Sequence, residues 1–169
     1  MPDWTIAAYR PEHQQGVIDL ISGIQRGEYE LPITPADQPD LMDIPGFYLH
    51  GAHGPGGFWV ALDPQGIVVG SIAVLRIGPD AAGRSLGALR KMFVARAQRG
   101  AGLAAALLNT LTSWCAGARM AALYLGTTDR FLAAHRFYAK HGFARIAKDA
   151  LPSSFPVMAV DTVFFTRSL

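Results

Sequence analysis

The chemistry-bearing stretch is Arg99-Gly100-Ala101-Gly102-Leu103-Ala104, a glycine-rich turn between a strand ending at Val94 and an apolar helix. Glycines let the backbone take unusual dihedrals and let a ligand approach with no Cβ in the way. The first N–H groups of a helix have no internal acceptor, and the helix dipole favours negative charge beside them. A diphosphate is the natural occupant, with Arg96 or Arg99 adding a charge-assisted contact. Two other readings compete. One is a plain helix entry with glycines for tight packing. The other is a dinucleotide site, because Gly100-Ala101-Gly102-Leu103-Ala104-Ala105 satisfies Gly-x-Gly-x-x-Ala and Asp129 follows at about the distance of a ribose-binding acid. The dinucleotide fingerprint needs its turn tight against the strand of a parallel βαβ unit. Here five residues separate Val94 from Gly100, after a meander of strands. A Walker-type loop is excluded, since no Gly-Lys-Ser/Thr is present.

The elements that must position this turn follow from patterning. Trp4–Tyr9 reads as a strand, and Pro11 opens a helix with an apolar stripe of Val17, Ile18, Ile21 and Ile24. From Gly27 to Gly57 the pattern breaks on Pro32, Pro35, Pro39 and Pro45, leaving loop with a short helix near Asp37–Ile44. A loop this long is either mobile or functional. Phe58–Leu62 and Ile67–Arg76 form a hairpin about Asp63–Gly66, and Leu86–Val94 follows in antiparallel order. Gly102–Ala116 is a helix with Leu103, Leu107, Leu111 and Trp114 on one face. Ala121–Gly126 is a buried strand, and Phe131–His141 is a helix stopped by Gly142. Phe143–Ala147 and Val157–Thr166 complete the set as strands. No repeat or linker interrupts residues 1–169, which read as one domain.

Composition bounds the function. Charged residues are 17% of the 169, half the chain is hydrophobic, and the net charge of +2 comes without a dense Lys/Arg run. The electrostatic footprint of a nucleic-acid binder is therefore missing. Cys115 is the only cysteine, so no disulfide framework or multi-cysteine metal site exists, and no metal is expected. The N-terminus lacks the apolar core of a signal peptide, and the longest apolar runs are too short to span a bilayer. A cytoplasmic protein with no membrane partner is the expectation. The apolar C-terminal strand ending in Phe164-Phe165 allows a homodimer, and a buried strand explains it equally well.

Two stretches in register resemble the GNAT superfamily of N-acetyltransferases. Arg99-x-x-Gly102-x-Ala104, after Leu89-x-x-Met92-Phe93-Val94, is similar to that family's motif A. Ala134-x-x-Phe137-Tyr138-x-x-x-Gly142-Phe143 is similar to its motif B helix. The resemblance covers about residues 58 to 148. It implies a mixed α/β (α+β) fold: a mostly antiparallel sheet of about seven strands, helices on both faces, and two strands splayed at the cofactor site. It also implies acetyl-CoA as co-substrate, with the pantetheine arm in the splay. Met92, Phe93 and Val94 would then pair with that arm as an added strand does, and a backbone N–H there could polarise the thioester. The diphosphate would rest on Arg99, Gly100, Ala101, Gly102, Leu103 and Ala104. Phe131 stands where the family often has an Asn that contacts pantetheine, and His135 lies at the cofactor's edge. Tyr138 would sit near the sulfur, where a phenol of ordinary pKa about 10 can give the departing thiolate its proton.

The attacking amine must lose a proton, so a base is required. The long loop offers Glu28, Glu30, Asp37, Asp40 and Asp43, each as readily a solvated loop charge. Glu28 and Glu30 rank first, because Tyr29 and Leu31 beside them suggest partial burial. The resulting expectation is direct acetyl transfer to a primary amine of a small molecule or peptide. The alternative is a non-catalytic module of the same fold that senses acyl-CoA, and a nucleotide-binding oxidoreductase is a distant third.

Overall fold

The computed structural model describes residues 3–169, so Met1 and Pro2 of the expected signal-free N-terminus lie outside the described residues. A seven-stranded sheet organises them, in the order β1-β2-β3-β4-β5-β7-β6. The strands are β1 (Thr5–Ala8), β2 (Gly57–Leu62), β3 (Val68–Ile77), β4 (Ser85–Val94), β5 (Met120–Thr127), β6 (Ala144–Ile146) and β7 (Val163–Ser168). Only β4 and β5 run parallel; every other neighbouring pair is antiparallel.

Period-two alternation divides the core between the two faces. On β2, Trp59 and Ala61 turn toward helix α2 (Leu103–Gly117), where Leu107 and Leu111 are fully buried. Phe58 and Val60 turn the other way, onto Val17 and Ile21 of helix α1 (Gln14–Ser22) and Tyr48 of the long loop. Each fully buried leucine contributes about 2 kcal/mol of burial free energy. Helix α3 (Leu132–Lys140) shares the α2 face and delivers Tyr138 against Phe143 and Phe165. Phe164, one residue along, points to the opposite face and packs with Phe155 of the loop before β7. Helices therefore cover both faces, as the resemblance implies. No helix among the described residues is long and apolar enough to cross a membrane.

Three expectations need correction. The short helix over Asp37–Ile44 is replaced by 3-10 turns at Pro35–Asp37 and Pro39–Leu41, then a wider π-type turn at Pro45–Leu49. Pro35, Pro39 and Pro45 each begin one of these turns, since proline fits a first turn but cannot extend the ladder behind it. Helix α1 runs on through a π turn over Gly23–Glu28, which brings Glu28 to the side chain of Arg99. The last strand starts at Val163 rather than Val157. Asp161 folds the chain before it, its amide donating to the Met158 carbonyl at 3.0 Å while its carboxylate accepts the Met158 amide at 2.9 Å.

Candidate active site

Strands β4 and β5 pair only from Ser85↔Met120 to Ala88↔Tyr124. Beyond that point β4 stays with β3, while Leu125, Gly126 and Thr127 follow Phe165, Phe164 and Val163 of β7. The parallel strands separate, and a cleft opens between Leu89–Val94 and Leu125–Thr127. A β-bulge marks its β4 wall. Ser71 pairs with Phe93 and Ala73 with Arg90, so Lys91 and Met92 together oppose Ile72. Lys91 takes a left-handed φ of 55°, a strained conformation for a lysine, and its carbonyl accepts the Ser71 hydroxyl at 2.6 Å. The bulge interrupts the alternation of β4, so five consecutive residues, Leu89 to Phe93, line the same cavity.

The cleft holds two cavities. One, of about 200 Å³, is walled by Met92, Phe93, Val94, Phe131, Phe137 and Tyr138 and reaches Arg99 and Ala104. The other, of about 90 Å³, has mixed walls and is the more polar of the two, with Arg90, Lys91, Thr127, Thr128 and Asp161 among apolar neighbours. Tyr138 lines both, as do Met92, Phe93 and Phe131. The phenol is buried, and burial raises its pKa, so it stays protonated throughout the neutral range. Phe131 packs edge-on between Tyr29 (ring centroids 4.5 Å) and Phe93 (6.4 Å), closing the apolar channel with an aromatic wall.

At the far end of that channel Gly102 is the N-cap of α2, with φ 85°, and no side chain caps the helix. Gly100 also has positive φ, at 81°, so the turn depends on glycine at both positions. The uncapped first turn leaves backbone N–H donors for an anion. Arg99 returns along the turn, its Nε donating to the Val94 carbonyl at 3.1 Å.

The expected site residues separate into two groups. Met92, Phe93, Val94, Arg99, Ala104, Phe131 and Tyr138 line the apolar cavity, and Gly100, Ala101, Gly102 and Leu103 form the turn that leads into α2. His135 lines neither cavity; its Nε2 is engaged with the Thr128 carbonyl at 2.9 Å, which steadies the β5–α3 loop. Glu28 is ion-paired to Arg99, and the hydrogen bonds from Arg99 hold its carboxyl below the usual range. Glu30 is exposed, at φ 53°, beside a surface groove on the outer side of the loop. Asp40, expected as a loop charge, is buried. Its Oδ2 accepts the Tyr48 hydroxyl at 2.5 Å and lies 3.3 Å from Lys91 Nζ.

Sequence reasoning missed Lys91, Gln25, Gln38 and Asp161. Lys91 Nζ donates to Gln38 Oε1 at 2.6 Å, and Gln38 Nε2 donates to Gln25 Oε1 at 2.8 Å. Burial brings the Lys91 ammonium down to about 8, against the opposing pull of Asp40. Asp161 faces the polar cavity next to Gly126, and desolvation raises its carboxyl pKa above the usual value. Its only sequence signal is an acid just before the apolar run Val163–Phe165.

The model of the GNAT acetyltransferase family matches residues 21–143, which contain both walls of the cleft, the turn and Tyr138. The chain belongs to the GNAT family. Its N-acetylaspartate synthetase relative from Danio rerio is 35% identical over 111 residues, which are 64% of this chain and 36% of that protein. The chain thus spans about a third of that relative's length. A GNAT-family acetyltransferase structure from Staphylococcus aureus Mu50 superposes with a TM-score of 0.90, at 34% identity over 98% of both chains. The fold also matches that of a phosphinothricin acetyltransferase from Sinorhizobium meliloti solved with AcCoA. There the TM-score is 0.70 at 17% identity, over 99% of this chain and 89% of the other.

Proposed function

We propose that this GNAT chain transfers an acetyl group directly from acetyl-CoA to a primary amine of a small molecule or peptide. The observation that carries the proposal is the place of Tyr138, on the shared wall between an apolar channel and a polar cavity. The channel suits a pantetheine arm, with the Gly100–Ala104 turn and Arg99 taking the diphosphate. The polar cavity suits the amine. Backbone donors along Met92–Val94 meet the charge that develops on the thioester oxygen. Asp161, with its raised carboxyl pKa, accepts the ammonium proton and leaves the nitrogen lone pair free to attack. As the carbon–sulfur bond breaks, the Tyr138 hydroxyl donates to the sulfur, so that thiol rather than thiolate departs, and the proton shed by the newly acylated nitrogen restores the phenol.

Replacing Tyr138 with Phe removes that donor and keeps the ring that packs on Phe143 and Phe165. Thiol release with an accepted amine should fall by about 100-fold or more, with acetyl-CoA affinity nearly intact. Unchanged turnover in the variant rejects the role of Tyr138. Wild-type protein that binds acetyl-CoA yet releases no thiol with any amine is the non-catalytic module instead.

A further inference from the structure

We infer that the acceptor is an amine that also carries a carboxylate, and that Arg90 is its anchor; the inference rests on the acetyltransferase reading above. Arg90 projects from the bulged end of β4, with its side chain 14% exposed. A guanidinium so far out of water needs partners for its five donors, because an unpaired buried charge is costly. The partners that it has are poor. One Nη2 contact reaches the Met158 thioether at 3.1 Å, and the same nitrogen lies 3.8 Å from Asp40 Oδ2.

Asp40 holds Arg90 only at 3.8 Å, and that same oxygen also accepts the Tyr48 hydroxyl and lies 3.3 Å from Lys91 Nζ. Two cations therefore converge on one firmly held carboxylate. Asp161, which shares the cavity beside Tyr138 with Arg90, spends an oxygen on the Met158 amide. Nε and Nη1 of Arg90 have no hydrogen-bond partner among the described residues, and neither is sealed from solvent. The side chain lines both the polar cavity beside Tyr138 and the adjoining cavity under Pro39 and Phe47. The Tyr48 ring, 6.0 Å below the guanidinium carbon, holds its orientation from one side. A held guanidinium with unpartnered donors, on the wall of the reacting cavity, fits a carboxylate in two-pronged geometry. With Asp161 on the same cavity, a molecule positive at the amine and negative at the carboxylate finds a complement for each end.

The experiment compares kcat/KM, per unprotonated amine, for matched acceptors: an amino acid, its primary amide, and the amine lacking the carboxylate. Peptides beginning with Asp are paired with peptides beginning with Asn, to tell a free amino acid from a polypeptide source. The wild type should favour the carboxylate member of at least one pair by about 30-fold or more, mainly through KM. In Arg90→Gln that preference should collapse toward one. Arg90→Lys, which keeps the charge but not the fork, should retain part of it, and acetyl-CoA affinity reports whether each variant is folded. Equal or better turnover of the neutral members, or an equal loss for both members in the variants, overturns this inference alone. No turnover of any acceptor by a wild type that binds acetyl-CoA overturns the acetyltransferase reading, and this inference with it.

Discussion

Arg99, at the start of the glycine-rich turn, grips Glu28, 71 residues earlier, with its two terminal guanidinium nitrogens on the two carboxylate oxygens. The pair ties the end of the π turn after α1 to the mouth of the apolar channel. It also occupies the cation proposed above as a contact for the diphosphate. Both side chains are partly exposed, at 35% and 19%, so the pair itself stabilises the fold by about 1 kcal/mol at most.

Glu28→Gln weakens the competitor for Arg99 and removes no proton acceptor from the cavity. Acetyl-CoA should bind as well or a few-fold more tightly by titration calorimetry, and kcat should stay within a few-fold of wild type. A drop of about 100-fold in kcat would make Glu28 the base and displace Asp161 from that role.

Asp161→Asn should cut kcat by about 100-fold or more with acetyl-CoA affinity retained. The wild-type rate should fall on acidification through the raised carboxyl pKa of Asp161, and this limb should vanish in the variant. Gly126→Ala provides a second probe. Its new Cβ would stand 2.6 Å from Asp161 Oδ2 and must push the carboxylate aside, so turnover should fall although every titrating group remains.

Lys91 makes a pH prediction. Its folded pKa of about 8 lies below its ordinary 10.5, so between those values the unfolded chain binds more protons. The contribution to stability therefore rises with pH from about 8 to 10.5 and is lost as pH falls through 8. Its full size is about 3 kcal/mol. Relative to Lys91→Met, denaturant unfolding of the wild type should show that gain across this window. Parallel curves for the two proteins would deny Lys91 its lowered pKa.

Gly102→Ala tests the turn. No atom stands within 4 Å of the added Cβ, so the cost comes from φ 85° alone, about 1 kcal/mol, read as a lowered Tm. Relaxing that strain would turn the first N–H groups of α2, and acetyl-CoA affinity should fall with it. A stability loss with affinity unchanged would remove those N–H groups from diphosphate binding.

What the sequence by itself determined is the local part. The Arg99–Ala104 turn and the Phe137-Tyr138 pair sit on regular elements whose spacing is written along the chain, and the glycines announce their own dihedrals. The hairpin of β2 and β3 was legible for the same reason. Tertiary structure decided which side chains share the cavity beside Tyr138. Lys91 meets Gln38 across 53 residues of sequence, and it does so because of a bulge that alternation cannot reveal. Strand β7 lies between β5 and β6 and stays with β5 where β5 parts from β4, and the chain leading into it carries Asp161 to the cleft. Glu28 carries no mark of its partner either, since an ion pair depends on where two distant turns come to rest. Backbone preference acts over a few residues, whereas burial, pKa and charge pairing are set by neighbours that only the folded chain supplies.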